Sequence, residues 1–165
     1  METYDAIRKR VSVRKYSDKT VSKKDLEKIV FAAARAATAN NVQPFEFVVI
    51  TDAGKRKELA GIAPKNGPYM AESPAVIAVI SKPEKYYLED GSAATENLLL
   101  MARDLGLGTV WVAGDKKEYC PEILKALNAP PEYKLVSLVC VGYPKEGFVE
   151  TPKKNISELL HWEKY

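Results

Sequence analysis

The apolar and polar positions of this chain switch repeatedly between a period of two and a period near 3.6. From Arg10 to Tyr16 the residues read Arg-Val-Ser-Val-Arg-Lys-Tyr. Successive side chains of an extended segment point to opposite faces. Arg10, Ser12 and Arg14 therefore share one face, and Val11 and Val13 the other. After Ser22 the period lengthens: Leu26, Ile29, Val30, Ala33 and Ala34 recur at helical spacing, and Ser22 with Asp25 has the form of a capping box. Phe47-Val48-Val49-Ile50, inside a strand predicted over 45–51, is near-continuously apolar, as in a strand buried on both faces. A helix is predicted over 5–10 and another over 52–62, with an irregular stretch over 64–74 and a buried strand over 75–80. Asp90 is expected to cap a long helix over 91–105 that carries Ala94, Leu98, Met101 and Leu105 on one face and stops at Gly106. A strand over 109–113, a helix over 121–127, a strand over 135–141 and a helical turn over 156–160 complete the pattern. With no repeat, low-complexity tract or linker, one α+β domain over 1–165 is the economical expectation.

Composition narrows the function. A chain of 165 residues, 46% hydrophobic and 28% charged, is an ordinary globule with room for a core. A net charge of +3 is too mild for a dedicated polyanion binder but leaves small anions open. Cys120 and Cys140 are far apart, with no Cys-x-x-Cys pair, and are expected to be buried thiols. His161 is the only histidine, which excludes His-rich zinc sites. No apolar run approaches the ~20 residues that span a bilayer. The start Met1-Glu2-Thr3-Tyr4-Asp5 is unlike a signal peptide, so a cytoplasmic location is expected.

The familiar catalytic signatures are missing. Gly106-Leu107-Gly108 lacks the third glycine of a dinucleotide loop and precedes a strand instead of a helix. There is no Walker loop and no Gly-x-Ser-x-Gly elbow. Asp90 and Glu96 do not share a helix face, and Ser12 has no histidine base. No catalytic side chain is assigned. Such a chain suits a borrowed reagent, in which a cofactor carries the chemistry and the protein binds and orients it. The Arg10/Ser12/Arg14 face fits a phosphate, because guanidinium forks give paired charge-assisted hydrogen bonds to its oxygens. The small residues of 32–37 let a ligand or another backbone come close.

Five motifs, in order, resemble those of the FMN-dependent nitroreductases, in a short single-domain form. They are Arg10-Val11-Ser12-Val13-Arg14-Lys15-Tyr16, then Ala36-Ala37-Thr38-Ala39-Asn40-Asn41-Val42-Gln43-Pro44-Phe45, then Asp90 through Leu100, then Leu105-Gly106-Leu107-Gly108-Thr109-Val110-Trp111, and Val139-Cys140-Val141-Gly142-Tyr143-Pro144. The resemblance implies a nitroreductase-like α+β fold, a central, mostly antiparallel sheet flanked by helices, with FMN in clefts at a homodimer interface. By motif position, Arg10, Ser12 and Arg14, with Val11 between them, would hold the FMN phosphate. Asn41, followed by Gln43 and Pro44, would meet the flavin ring. The backbone at Ala113 and Gly114, after Trp111 and Val112, would face the N5 edge. Lys153 and Lys154 stand where the family closes basic residues on the phosphate, usually with an arginine among them.

The activity so implied is electron transfer from NAD(P)H through flavin N5 to a nitroaromatic or quinone-like acceptor, in ping-pong order. The alternatives are another flavin reaction on the same fold, reductive dehalogenation or flavin breakdown, or a non-enzymatic nucleic-acid binder using the basic run 8–15. Ala37-Thr38 replaces the family's Pro-Ser, and no room exists for the helical insertion of longer members, which implies an open pocket. The side chain of Trp111 is expected in the core, and Asn97 as a buried hydrogen-bonder. Phe45, Tyr69, Tyr86 and Tyr87 are candidate aromatic walls. The apolar succession Leu98-Leu99-Leu100-Met101 is expected to need a partner subunit to cover it.

Overall fold

The most apolar segments become the inner strands of the sheet. In the computed structural model, which describes residues 1–165, β1 (Phe45–Ile50), β2 (Ala75–Ser81), β3 (Gly108–Ala113) and β4 (Lys134–Gly142) pair antiparallel in the order β1-β2-β4-β3. β2 is buried throughout, and β4 is buried after Lys134. Their alternating side chains feed two cores. Val76, Ala78, Leu138 and Cys140 pack with Leu59 of α3 (Ala53–Ile62), Met70 of α4 (Gly67–Glu72) and Ile123 of α6 (Cys120–Ala126). Ile77, Val79, Val139 and Val141 pack with Ile29 of α2 (Lys23–Ala34) and Leu98 of α5 (Tyr87–Asp104). α1 (Thr3–Lys9) lies against α5. Each fully buried large side chain contributes about 1.5–3 kcal/mol of transfer free energy.

Local chemistry sets several element ends. Ser22 accepts the Asp25 N–H at 3.1 Å, and its hydroxyl donates to the Asp25 carboxylate at 2.8 Å. Asp52 caps α3 by accepting the Lys55 N–H at 2.7 Å. α5 closes with Leu107 N–H donating to the Ala102 carbonyl at 2.8 Å and Gly106 N–H to that of Arg103 at 3.1 Å, the Schellman pattern. Gly108 begins β3 because a Cβ there would come within 2.6 Å of the Val13 side chain. No helix is long and apolar enough to cross a membrane.

Several expectations need correction. β1 is an outer strand with Val49 40% exposed, so its apolar run does not mean burial on both faces. Residues 10–16 keep the expected alternation, with Val11 and Val13 buried and Ser12 and Arg14 exposed, but form no regular strand. They make only two isolated bridges, Ser12 with Thr109 and Tyr16 with Pro144. The stretch 64–74 contains α4. α5 starts at Tyr87, so Asp90 lies inside its first turn and caps nothing on that helix. Trp111 is 37% exposed on the outer strand β3, not in the core. Leu98 and Leu99 are buried within the chain and Leu100 and Met101 half-buried, so that helix does not itself call for a partner. The turn at Ile156–Glu158 is 3-10, and every residue from Val149 to Tyr165 is exposed.

Candidate functional site

The outer edge of β3 gathers most of the sequence-predicted site. Burial of Val11 and Val13 pins the basic segment to the body, and Val13 N–H donates to the Thr109 carbonyl at 2.8 Å. Ser12 and Arg14 are left facing out, beside Arg10 at the end of α1. Arg10 Nε lies 3.9 Å from Glu96 Oε1, and Arg14 stands over the Tyr69 ring at 5.9 Å. Lys15 Nζ donates to Glu146 Oε1 at 2.8 Å, a bond that raises the Lys15 pKa and lowers that of Glu146. Ser12, Arg14, Lys15 and the Glu146 carboxylate, with Val13, Gly147 and Val149, line a cavity of about 200 Å³. One guanidinium, an ammonium and a hydroxyl line this space, and the Arg10 guanidinium stands outside it; Lys15 already neutralises the Glu146 carboxylate, so the cluster can still hold a phosphate group.

The other end of β3 offers backbone donors. The outward Thr109 carbonyl fixes the alternation, so Trp111 and Ala113 also turn their N–H and C=O groups to the open edge. The Tyr119 hydroxyl takes up the Ala113 carbonyl, which leaves the Ala113 N–H facing out. Four residues separate Thr109 from Ala113, about 14 Å along a strand. At Gly114 an added Cβ would fall 2.5 Å from the Leu135 oxygen and 2.6 Å from that of Val136, so only glycine lets β3 end this close to β4. Asp115 follows with φ +43°; its N–H donates to the Leu135 carbonyl at 2.6 Å and its carboxylate accepts the Tyr87 hydroxyl. That hydrogen bond pushes the Tyr87 pKa up to about 12 and keeps the phenol protonated.

A third segment, residues 38–43, approaches from the start of α5. Asn40, Asn41 and Gln43 all have positive φ, at 51°, 55° and 51°. Gln43 N–H donates to Thr38 Oγ1 at 3.2 Å, and Gln43 Nε2 to Asn41 Oδ1 at 3.1 Å. The Asp90 carboxylate accepts the Ala39 N–H at 3.0 Å. Asn41 and Gln43 are exposed and Pro44 is buried.

The structure thus brings Arg10, Ser12 and Arg14 to the edge that carries Trp111, Ala113 and Gly114. Val11 is buried, so only its backbone can serve a ligand there. Val112, contrary to expectation, is not a site residue: its side chain is buried and the same alternation turns its N–H and C=O into the ladder with β4. Lys153 and Lys154 are exposed and make no hydrogen bond or ion pair within the chain. Of the candidate aromatic walls, Phe45 is core, Tyr69 lies under Arg14, Tyr86 is exposed and Tyr87 is tied to Asp115. Asn97 donates to the Ala32 carbonyl at 3.2 Å, as expected of a structural side chain. Sequence reading missed Lys15 as a cavity wall, and missed Tyr87–Asp115 and Tyr119 as braces of the β3 end. Lys15 stands inside the basic motif and could have been found; the tyrosine contacts have no sequence signal.

The family model described as "Putative TM nitroreductase" matches residues 2–165. The chain belongs to this nitroreductase family. An Archaeoglobus fulgidus protein described as "Putative NADH dehydrogenase/NAD(P)H nitroreductase" is 38% identical to it over 165 residues, covering 94% of each chain. A crystal structure bearing the same description, from Parabacteroides distasonis, superposes with a TM-score of 0.92 at 29% identity, over 99% of this chain and 98% of that one. An "FMN-dependent Nitroreductase" from Clostridium difficile R20291 gives a TM-score of 0.86 at 27% identity, over 98% and 99%. The expected nitroreductase-like fold is therefore the observed one, and in this family member all three strand pairings are antiparallel.

Proposed function

We propose that this nitroreductase-family chain is an FMN-dependent oxidoreductase that passes electrons from NAD(P)H to a nitroaromatic or quinone-like acceptor. One observation carries the reading: a single strand edge has phosphate-fitting cations and a hydroxyl at one end and unpaired backbone donors about 14 Å away at the other. FMN bound along that edge supplies hydride and electron transfer at ring N5. Arg10, Ser12 and Arg14 hold its phosphate. The Ala113–Gly114 backbone faces the N5 edge, and Asn41, braced by Gln43, meets the ring. Lys153 and Lys154 follow closely on Val149, which lines the phosphate cavity, and would be the residues to close over the bound phosphate.

The chain's own contribution is geometric and electrostatic. Tyr87 is held protonated and burial raises the Cys120 thiol pKa. His161 lies in the exposed tail, so protons come from solvent at an open edge. With no second nucleotide site, donor and acceptor use one flavin face in turn.

A homodimer fits the surface. Val21, Leu26, Val30, Phe31 and Val49 line an apolar groove of about 690 Å³, and Tyr4, Ile7 and Trp162 are also uncovered. Exposed apolar side chains such as Phe31, Val49, Tyr4, Ile7 and Trp162 are the kind a partner subunit would cover. Two buried free thiols suit a reducing compartment such as the cytoplasm. The nucleic-acid reading is disfavoured because the carboxylates of Asp5, Glu96 and Glu146 are interspersed among Arg8, Arg10 and Lys15, so the face is not uniformly basic, and the net charge is only +3.

The test is a visible spectrum of the purified protein, then chromatography of the cofactor released by denaturation. The expected result is a yellow protein yielding FMN. FAD, or a protein that stays colourless after reconstitution, refutes the proposal. Turnover with a nitroaromatic against a halogenated phenol separates it from reductive dehalogenation.

A further inference from the structure

The first turn of α5 makes two long-range contacts that a helix start does not require. It has no side-chain N-cap. Asp90, only 6% exposed, sends its carboxylate to the Ala39 N–H at 3.0 Å, and Tyr87, one turn earlier, sends its hydroxyl to Asp115. The turn tolerates a buried carboxylate because the helix dipole is positive there. The two contacts reach the two segments assigned above to the flavin ring: the loop carrying Asn41 and the β3 end at Ala113–Gly114.

Both segments hold left-handed backbone at non-glycine residues: Asn40, Asn41 and Gln43 in one, Asp115 in the other. Such conformations persist only where the surroundings impose them, and they cluster at ligand sites. The other side-chain bonds of the first loop, Thr38 with Gln43 and Gln43 with Asn41, are internal to it. They shape the loop but cannot fix where it sits relative to the sheet. Asp90 does that. Likewise Asp115 N–H ties its backbone to β4, while Tyr87 ties its side chain to α5.

We infer that Asp90 and Tyr87 are positioning residues: one rigid turn of α5 brackets the Asn41 loop and the Ala113–Gly114 edge and so sets the contacts made to the flavin ring. The inference rests on the function proposed above. Neither residue reaches the phosphate site, so their effect falls on the ring alone. Both act through a neighbour: Asp90 through the Ala39 amide, Tyr87 through the Asp115 carboxylate.

The experiment measures FMN and riboflavin affinity and the flavin midpoint potential for Asp90→Ala, Asp90→Asn and Tyr87→Phe. Asp90→Ala should weaken FMN and riboflavin equally, by about tenfold, because a hydrogen bond from a backbone amide to a carboxylate is lost. The ratio of FMN to riboflavin affinity, which reports the phosphate site, should not move. Asp90→Asn should recover most of the loss, since its amide oxygen can accept the same N–H. Tyr87→Phe should shift the midpoint potential with a smaller loss of affinity, about threefold. Wild-type riboflavin affinity and potential in a folded Asp90→Ala protein overturn the inference. So does an Asp90→Asn protein as impaired as Asp90→Ala. If Asp90→Ala does not fold, an unchanged potential in Tyr87→Phe overturns it. A wild-type protein that binds no flavin refutes the functional proposal instead, and that measurement comes first.

Discussion

Replacing Arg10 with alanine should weaken FMN binding far more than replacing Arg8, though the two lie two residues apart in one basic run. Arg10 is 19% exposed in its side chain and turns toward α5, where Glu96 Oε1 stands 3.9 Å from its Nε. Glu96 is itself half exposed, and such a pair is worth about 0–1 kcal/mol, too little to hold the guanidinium away from a dianion. A charge-assisted hydrogen bond to a phosphate is worth about 1.5–3 kcal/mol, or roughly tenfold to a hundredfold in affinity. Loss of Arg10 also leaves the Glu96 charge uncompensated near the phosphate, which adds to the penalty. Arg8 sits inside α1, 51% exposed, with Nη2 3.4 Å from Asp5 Oδ1. Its removal is an ordinary surface change within about 0.5 kcal/mol, or twofold. Glu96→Gln should tighten FMN by up to about threefold, because it removes a competing charge of the surface-pair magnitude. The assay is fluorescence titration of the apoprotein with FMN and with riboflavin at low and physiological salt. Riboflavin, lacking the phosphate, should be indifferent to all three substitutions. Equal losses from Arg8→Ala and Arg10→Ala, or equal losses of FMN and riboflavin, would show a diffuse basic patch and refute the reasoning.

Three further outcomes are expected. Initial rates with NAD(P)H and a nitroaromatic or quinone should give parallel reciprocal plots; Cys120→Ala and His161→Ala should keep turnover within about threefold in flavin-replete protein, since burial raises the Cys120 thiol pKa and His161 lies in the exposed tail. Sedimentation at micromolar concentration should show a dimer, and Phe31→Glu, which sets a charge in the exposed apolar groove, should shift it toward monomer; a flavin-loaded wild-type monomer counts against the interface. Burial pushes the Cys140 thiol from 9.0 to about 12. The folded state then keeps a proton that the unfolded chain releases near 9, so unfolding free energy should fall as pH rises from about 9 to 12, by at most about 1.4 kcal/mol per pH unit. Urea unfolding of Cys140→Ala should lack that component; an identical alkaline slope in both proteins would contradict it.

The sheet was legible because its inner strands carry their own evidence. Val76 to Ile80 and Leu135 to Val141 are apolar on both faces, and only a strand buried on both sides explains that. Helix ends were legible where a named residue enforces them, as at Ser22, which starts α2, and Gly106, which stops α5. Two of the misreadings share one cause. The apolar runs at Val48-Val49 and around Trp111 state that a surface is hydrophobic, not that this chain covers it. Both strands are outer strands, and both surfaces stay partly bare within one subunit. Asp90 misled for a different reason. An acid three residues into α5 looks like a cap from spacing alone, while its actual partner, the Ala39 amide, is brought to it only by the fold.

The same division applies to the site. Arg10, Ser12 and Arg14 are readable because alternation places them on one face whatever the segment pairs with. The backbone donors of Trp111 and Ala113 are not readable in that way, since every residue but proline has an N–H and only sheet order decides which ones lack a partner. β3 ends its sheet, so its alternate amides are free, and Gly114 and Tyr119 only make sense once that edge is seen to be held open. A cofactor that binds through backbone amides at one end and cations at the other leaves a strong sequence signal only at the charged end. The ring end is specified by contacts between distant segments, Tyr87 with Asp115 and Asp90 with Ala39. Substitutions there should therefore change the potential and the affinity for FMN and riboflavin alike, whereas substitutions at Arg10, Ser12 or Arg14 should weaken FMN and leave riboflavin unmoved.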